Sequence, residues 1–488
     1  MSKVIQRVEV TLRSFYIFNS SFGKKEGEEH KKILYYHPNG IEENTKIKDV
    51  GLSEAIIAFT ETFTSDNDCK ALHTQKTTQL FYQPEIDYWL VMTLNVPKEI
   101  RLKDGVEVAD YRGGEINDNI YSSILTQCYR MFRLLAGSIK MNYELNGLTN
   151  DEAREQLQQK LAIFFDKYLN SLKLPACDIL DTICSIQYLP LEKSLFLRSH
   201  NFINMVRATF LNISDIVFFY NEQVVCSGKI NAIDLYSLHE YVMGKLVPKD
   251  SQNEVNNTLF TRSSSTTSET NRNGAFVSVT DNDEDNSNPT QVYLLKDDEL
   301  IAYRLVVYKA KNATLCILII DSAPLQNDFN EELHSYIGPQ LSIIARDIGD
   351  KIAEVQKSSV HTPTPTTNND IDTVAPKYLF VNEQSLKHLT NITVDKRRPK
   401  INPTMPLNVL NIVGSLMEGN RSYASTTSSS FEEVLLKTTN DFWIVKRKCN
   451  WRQYFVIIFN SKATLLDVTQ EAKRIFEQEL TDDVFFDK

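Results

Sequence analysis

The strongest constraint on the fold is an order of elements that recurs along the chain: a β-hairpin, a short helix, three strands and then helices. In the first copy, alternating apolar residues predict a hairpin from "VEVTLRSFYIFN" and "KILYYHP", followed by a helix that Asp49 can cap. Three strands follow, and the last, "DYWLVMTLNVP", is nearly all apolar, as a central strand should be. Two helical patterns end the copy, the second with a capping box at Thr149 and Glu152. This order predicts an α+β fold in which helices flank a five-stranded antiparallel sheet.

Two further copies share this order and spacing rather than obvious sequence identity. In the second, "DIVFFYNEQVVCSG" predicts the hairpin, "AIDLYSLHEYVMGKL" the short helix, and the residues from Gln291 to Asp321 three strands. A helical pattern follows, which Pro339 should kink or restart. The third copy begins at "KYLFVNEQSLKHL" and ends with the helical pattern "TLLDVTQEAKRIFEQEL". The chain is therefore expected to fold as three related domains.

Low-apolar segments set the expected boundaries between these domains. We place the first domain at residues 1–172, the second at 173–357 and the third at 377–488. Residues 247–290 are rich in Ser, Thr, Asn and Asp, so they predict a disordered insertion within the second domain. Residues 358–376 form a Pro/Thr-rich linker.

Composition excludes several classes of protein. The 488 residues carry a net charge of −10, which argues against a nucleic-acid partner. The longest purely apolar run, "LCILII", is too short to span a bilayer, and "MSKVIQRVEV" lacks the apolar core of a signal peptide. The seven cysteines form no C-x-x-C pair. These features predict a soluble cytoplasmic protein in a reducing compartment.

The sequence contains no recognisable catalytic or metal-binding motif. Signatures of P-loop NTPases, dinucleotide-binding folds, kinases, zinc proteases and serine hydrolases are absent. The eight histidines are scattered, and apart from His73, four residues after Cys69, none lies at metal-ligand spacing from another histidine or from a cysteine. We therefore expect no catalytic residue, no metal and no cofactor, and a function in binding.

A dense charged stretch interrupts the first hairpin. Residues 24–32, "KKEGEEHKK", hold four lysines against three glutamates, so their net field is too weak to steer an anionic ligand. We interpret this stretch as the tip of the hairpin rather than as a phosphate or membrane contact.

Two basic segments in the third domain are candidates for contact with an anionic or phosphoinositide membrane surface. The first is "DKRRPK", with Lys396, Arg397, Arg398 and Lys400, and the second is "KRKCNWR", with Lys446, Arg447, Lys448, Trp451 and Arg452. Tryptophan is favoured at lipid interfaces. A solvated loop or hairpin tip is the alternative for both, since the segments are short and the chain is acidic.

The quoted first hairpin, together with "KDVGLSEAIIAFTETFT" and "PEIDYWLVMTLNVP", resembles the animal form of the vacuolar fusion family named for calcium-caffeine-zinc sensitivity. The resemblance runs through nearly the whole chain and depends on the accumulated match rather than on one motif. It implies three longin domains, each a five-stranded antiparallel sheet flanked by helices, which agrees with the repeats.

The resemblance also implies a function and partners. Family members pair with a related tri-longin protein, Mon-one, to form the guanine-nucleotide exchange factor of the late-endosomal GTPase Rab-seven. In animals a third, larger subunit is expected. The implied location is cytoplasmic, with recruitment to late endosome, lysosome and autophagosome membranes, and the implied processes are endosome maturation, autophagy and vesicle-mediated transport.

Candidate contacts can then be named in the first domain. For the Rab, we select the turn Pro38, Asn39 and Gly40 with the adjacent Lys46, Lys48 and Asp49. For the partner subunit, we select the stripe Leu52, Ile56, Phe59 and Phe63, which falls on one helix face.

Two alternative functions stay open, because a longin fold does not fix function. A GTPase-activating protein needs an exposed arginine, and Arg112 in "DYRGGE" is the loop arginine that fits, although a flexible turn also explains it. A non-catalytic trafficking adaptor would tether coats or SNAREs through its longin grooves.

Overall fold

The computed structural model describes residues 3–63, 69–103, 106–144, 150–177, 179–247, 274–277, 290–320, 328–360, 376–392, 406–418, 432–460 and 462–479. The described residues up to Cys184 form one compact unit, and those from Ser185 onward form a second.

The first unit contains the predicted strands and helices in the predicted order, together with strands and helices that the sequence did not predict. The strands are β1 (Lys3–Val8), β2 (Thr11–Asn19), β3 (Ile33–His37), β4 (Ala71–His73), β5 (Thr77–Glu85), β6 (Tyr88–Asn95), β7 (Lys98–Lys103) and β8 (Val106–Tyr111). The helices are α1 (Glu43–Glu61), α2 (Asp118–Ala136), α3 (Ile139–Glu144), α4 (Asn150–Ser171) and α5 (Ile179–Ile183).

Five of these strands form an antiparallel sheet in the order β3-β2-β6-β5-β4, with the apolar β6 at its centre as predicted. Side chains of β2 alternate between two buried faces. Tyr16 and Phe18 pack with Val50 and Ile57 of α1. On the opposite face, the ring of Phe15 lies 5.0 Å from that of Phe165 in α4. The first domain is therefore a sheet between α1 on one side and the long helices on the other.

Two features of the first domain depart from the sequence prediction. The strand expected to start at Val8 is divided, and β1 pairs with β7 in a separate sheet of order β1-β7-β8. Asp49 does not cap a helix, because α1 begins six residues earlier at Glu43. Thr149 of the predicted capping box lies outside the described residues.

The second unit contains two further domains. Its strands are β9 (Ile186–Gln187), β10 (Ile213–Tyr220), β11 (Gln223–Cys226), β12 (Ala275–Phe276), β13 (Thr290–Lys296), β14 (Glu299–Ala310), β15 (Ala313–Ile320), β16 (Lys377–Asn382), β17 (Lys387–Thr390), β18 (Glu432–Lys437), β19 (Phe442–Cys449) and β20 (Arg452–Phe459). Its helices are α6 (Lys193–Thr209), α7 (Ala232–Tyr241), α8 (Phe329–Val360), α9 (Leu407–Glu418) and α10 (Leu465–Glu479).

In the second domain, the sheet has the order β11-β10-β15-β14-β12, and β13 pairs with the other end of β14. Helices α6 and α8 cover one face, where Val206, Leu333 and Leu341 share a core with Phe218. Helix α8 runs without a break through Pro339, so the predicted restart is wrong. The expected insertion 247–290 also needs correction, because Ala275–Phe276 pair with β14.

The third domain has the sheet order β18-β19-β20-β16-β17-β9, in which the predicted hairpins recur and all pairs but the last are antiparallel. Strand β9 comes from the segment before α6 and pairs in parallel with β17. Tyr188, just after β9, also bridges to Val224 of β11. This short segment, residues 186–188, therefore lies between the sheets of the second and third domains.

A buried polar pair stabilises this junction. Ser185 Oγ lies 2.8 Å from His388 Nδ1 in β17. Burial, with a smaller contribution from His239, lowers the pKa of His388 to about 4. The imidazole is therefore neutral at neutral pH.

The junction should weaken under acid. Below about pH 6.5 this histidine is protonated in the unfolded chain but stays neutral in the folded chain. The free energy of unfolding therefore falls as the pH drops from about 6.5 to 4, by up to about 3 kcal/mol. Denaturant unfolding of His388→Gln should show a shallower pH dependence over this window than the unsubstituted chain. Equal slopes would contradict the assignment.

Phe276 gives a second stability prediction. Its ring lies 5.1 Å from that of Tyr308, edge to face, and packs on the core of the second domain. Phe276→Ala should lower the free energy of unfolding by about 2 kcal/mol. Deletion of residues 251–270 should leave the free energy of unfolding nearly unchanged, because that segment offers little apolar surface to bury. Thermal unfolding of both variants checks this, and a large loss in the deletion would contradict it.

Candidate functional site

Helix α1 carries apolar side chains on both sides. Its buried side consists of Val50, Ser53 and Ile57, which face the sheet. On the opposite side, Leu52 and Phe59 are 56% and 64% exposed. Phe63, which the sequence placed on the same helix face, lies in the turn just after α1, is 72% exposed, and has its ring 4.9 Å from that of Phe59. Ile56 lies at the border and is half-buried. We call Leu52, Phe59 and Phe63 the outer stripe of α1.

Polar contacts fix α1 on the sheet and so fix the direction of this stripe. Tyr16 Oη lies 2.7 Å from Ser53 Oγ, and Gln79 donates to the same tyrosine oxygen at 2.7 Å. The Tyr36 hydroxyl donates to Asp49 Oδ2 at 2.6 Å. Burial raises the pKa values of both tyrosine hydroxyls, so they stay protonated as donors. The inner face of α1 is thus held by hydroxyl groups, and its apolar outer face is not needed for the core.

The turn selected as a Rab contact lies directly before α1. Asn39 and Gly40 are exposed, and Pro38 is half-buried. Asp166 of α4 accepts hydrogen bonds from the Tyr35 hydroxyl at 2.7 Å and from Asn39 Nδ2 at 3.3 Å. This carboxylate holds the end of β3 and the turn together. No local sequence pattern indicates this contact, because 127 residues separate Asp166 from Asn39.

The remaining Rab candidates lie in the first two turns of α1. Lys48 is exposed. Lys46 is half-buried, with its ammonium group 5.6 Å from the centre of the Tyr36 ring. Asp49 is half-buried, and the Tyr36 hydroxyl already occupies its carboxylate, which gives it a structural role. The structure thus brings the turn, both lysines and the start of the outer stripe onto adjacent parts of the first domain.

The charged hairpin tip is also accounted for. It joins β2 to β3, as predicted. Lys31 pairs with Glu28 at 3.0 Å, and Lys32 pairs with Glu54 of α1 at 2.7 Å. Part of the positive charge is therefore used to fix the hairpin against α1.

The membrane candidates have different surroundings. Lys396, Arg397, Arg398 and Lys400 lie outside the described residues. Lys446 is only 1% exposed, so its selection as a lipid contact is wrong. Its ammonium group donates to the Leu416 carbonyl at 2.8 Å, near the C-terminal end of α9, and lies 3.3 Å from Glu432. The signal was available in the strand period, since Lys446 shares a face of β19 with the buried Ile444.

Neighbouring basic residues of β19 are paired across strands. Arg447 Nε lies 2.8 Å from Glu433 Oε1, and its guanidinium group packs over the Tyr454 ring. Lys448 lies 3.3 Å from Glu383. Trp451, in the β19–β20 turn, is 43% exposed, and Arg452 is half-buried. Trp451 is therefore the member of this segment that is best placed to meet a membrane.

Arg112, the candidate for a GTPase-activating arginine, is held in a network of charges. Its guanidinium group lies 2.9 Å from Glu99 and 3.2 Å from Asp110. Hydrogen bonds from Arg101 and Arg112 lower the pKa of the Glu99 carboxyl to about 2. An arginine committed to two carboxylates in its own domain is poorly placed to reach a nucleotide on another protein.

Two further findings concern the described part of the chain. No three or more His, Cys, Asp and Glu side chains in it are grouped so that they could hold a metal ion. None of its helices is long and apolar enough to cross a membrane.

Comparison with known protein families assigns all three domains. Residues 12–137 match the family described as "First Longin domain of INTU, CCZ1 and HPS4". Residues 213–338 match "Intu longin-like domain 2", and residues 372–475 match "Intu longin-like domain 3". The predicted fold class, three longin-like domains of α+β type, is confirmed.

Curated relatives align over nearly the whole chain. A protein of Xenopus laevis named "Vacuolar fusion protein CCZ1 homolog" is 32% identical over 99% of this chain and 98% of its own length. Relatives with the same name from Danio rerio and Dictyostelium discoideum are 33% and 24% identical, over 98% and 96% of this chain and 96% of their own lengths. Such identity over nearly the whole of the aligned sequences shows common descent, and this chain belongs to the CCZ1 family of vacuolar fusion proteins.

Proposed function

We propose that this chain is one subunit of a guanine-nucleotide exchange factor that pairs with the tri-longin protein Mon-one and activates Rab-seven. The single observation that supports this best is the outer stripe of α1, an apolar helix face that the first domain does not bury. Exposed apolar side chains grouped on one helix face are typical of a protein interface. Because the chain belongs to a family of longin proteins, we propose that the partner covering this helix face is a related longin protein.

Nucleotide exchange fits a protein in which no catalytic motif is found. A P-loop GTPase holds its nucleotide through backbone amides, a lysine and Mg²⁺, and a picomolar Kd corresponds to about 16 kcal/mol. An exchange factor breaks no covalent bond. It binds the nucleotide-free state more tightly than the loaded state, and each ~1.4 kcal/mol of that difference speeds release tenfold.

The proposed Rab surface lies beside the proposed partner surface. The exposed Asn39, Gly40 and Lys48 precede the outer stripe along the chain, and Asp166 positions the turn. A partner seated on the outer stripe would therefore stand next to this turn. The two subunits would then share the surface that binds the GTPase.

We further propose that the complex, with a third and larger animal subunit, acts on late endosome, lysosome and autophagosome membranes. Support comes from the vacuolar fusion name of the relatives and from the exposed Trp451. The basic residues Lys396, Arg397 and Arg398 supply further positive charge for anionic lipid.

A lipid-binding assay tests this membrane proposal. Charge reversal of Lys396, Arg397 and Arg398 should weaken binding to anionic liposomes by about 3 kcal/mol, roughly a hundredfold, because each basic residue contributes about 1 kcal/mol. Added salt should weaken binding of the unsubstituted chain as well. Lys446→Met is the matched control and should leave liposome binding unchanged, since this lysine is buried. Equal binding by the charge-reversed variant in flotation assays would refute the assignment.

The function itself is tested by release of fluorescent GDP from a panel of Rabs, with and without the tri-longin partner. Exchange activity predicts faster release from one Rab or a few related Rabs. A GTPase-activating protein would instead speed single-turnover GTP hydrolysis and depend on Arg112. An adaptor would bind the Rab or its machinery and leave both rates unchanged.

A further inference from the structure

The second domain contains a cavity of about 430 Å³ that no part of the exchange function uses. Its walls come from the C-terminal end of α6, the start of β10, the loop before α7 and the β13–β14 hairpin. This volume is sufficient for a small phosphorylated molecule.

Three cationic side chains line the cavity: Arg207, Lys229 and Lys296. Lys229 and Lys296 are exposed, and no carboxylate among the described residues pairs with either ammonium group. Arg207 lies 3.8 Å from Asp215, which is too long for a strong hydrogen bond. Lys229 and Lys296 therefore supply positive charge that the described part of the domain does not pair, whereas Arg207 is shared with Asp215.

The carboxylate at the base of the cavity is already committed to the backbone. Asp215 is buried and accepts from the amides of Ile216 at 2.9 Å and Lys229 at 2.6 Å. Gly228, with φ of +62°, passes so close that a Cβ there would lie 2.3 Å from Asp215 Oδ1. Asp215 thus fixes the loop that carries Lys229, and each of its two carboxylate oxygens already accepts a backbone hydrogen bond.

A second buried carboxylate fixes the opposite wall. Asp234, in the first turn of α7, accepts from the Leu295 amide at 2.7 Å and so holds α7 against β13, beside Lys296. Asn231, which lines the cavity, caps α7 through a hydrogen bond from the Ile233 amide. The positive end of the α7 dipole therefore lies at the cavity.

We propose that this cavity is a binding site for a phosphomonoester, held by Lys229, Lys296 and Arg207 at the N-terminal end of α7. A compact dianion matches cations arranged on opposing walls, and charge-assisted hydrogen bonds to it are the strong kind. Asp297, the other carboxylate at the rim, is exposed in the β13–β14 turn, so solvent screens its repulsion. The ligand is either a free phosphorylated metabolite or the headgroup of a phosphorylated lipid. This inference does not depend on the exchange function.

Calorimetric titration of the full chain with inositol bisphosphate, and with inositol as the uncharged control, tests the proposal at fixed ionic strength. Binding of the phosphate ester should be saturable, and inositol should not bind. Each of Lys229→Gln and Lys296→Gln should weaken binding about tenfold, and the double variant about a hundredfold. Lys311→Gln, a change at an exposed lysine in the β14–β15 turn of the same domain, should leave binding unchanged.

A vesicle-binding assay distinguishes a lipid headgroup from a soluble phosphate ester. It compares binding to phosphatidylcholine vesicles with and without a monophosphorylated phosphoinositide. Vesicle binding that free inositol bisphosphate displaces, and that the double variant loses, identifies a lipid headgroup. Binding of the free ester without vesicle binding identifies a soluble ligand. The proposal is overturned by absence of saturable binding, by full binding in the double variant, or by an equal loss in Lys311→Gln. Unchanged unfolding midpoints ensure that the lysine variants report on the site.

Discussion

Alone, this chain is expected to release nucleotide from its Rab about a thousandfold more slowly than the mixture with its tri-longin partner. On the proposed function, the surface that binds the opened GTPase is shared between two subunits. Loss of one half should remove about 4 kcal/mol of the differential binding, which corresponds to that factor in rate. The outer stripe of α1, exposed in the isolated chain, is the place where the second subunit would complete the surface.

Release should be measured for the isolated chain, the isolated partner and the mixture at matched concentrations. Both isolated subunits should be nearly inactive. If the isolated chain matches the mixture, the shared-surface mechanism is wrong and this subunit carries the activity by itself.

Replacing Leu52 and Phe59 together by aspartate should abolish pairing with the partner. Apolar side chains at the centre of an interface commonly contribute 2 kcal/mol or more each, so we expect at least about a hundredfold weaker association. Stability should change little, because the two side chains are already 56% and 64% exposed. Analytical ultracentrifugation or calorimetry with the partner measures the loss, and circular dichroism confirms folding.

Ile163→Asp is the matched control for this variant. Ile163 is 69% exposed on α4, across the sheet from α1, so its change places an aspartate at another apolar surface position of the same domain, with one added negative charge against two in the α1 variant. It should leave association intact. Equal loss of association in both variants, or full association in the α1 variant, would refute the outer stripe as the interface.

Sequence periodicity predicted most of the architecture, because a strand or helix that buries one face has apolar residues at regular spacing in its sequence. The hairpins, the central strand β6 and the helix α2 all follow from apolar residues at strand or helix spacing. Helix α6 was not predicted, although its buried residues Leu195, Ser199, Phe202 and Val206 lie at helical spacing. The serine on this inner face interrupts the apolar pattern.

Other features leave little or no local trace. The pairing of Asp166 with the turn at Asn39 depends on two elements that meet only in the folded domain. For Lys446 the strand period does indicate the buried face of β19, but the usual preference of lysine for solvent argues against burial. Its burial depends on a carbonyl of α9 and on Glu432, which the sequence does not place beside it. Both sides of α1 are apolar, so the sequence alone could not decide which side faces the sheet. The polar Ser53, tied to Tyr16, marks the inner side.

The position of β9 between two sheets has a consequence for synthesis on the ribosome. Ser185 meets His388 only after 203 further residues have been made, so β9 leaves the ribosome long before β17 exists. Contacts of such long sequence separation form slowly, and an unpaired strand is prone to associate with other chains meanwhile. The nascent second domain should therefore depend on chaperones until the third domain is complete. Truncated products that end before β17 should be degraded or aggregate rather than accumulate as soluble fragments.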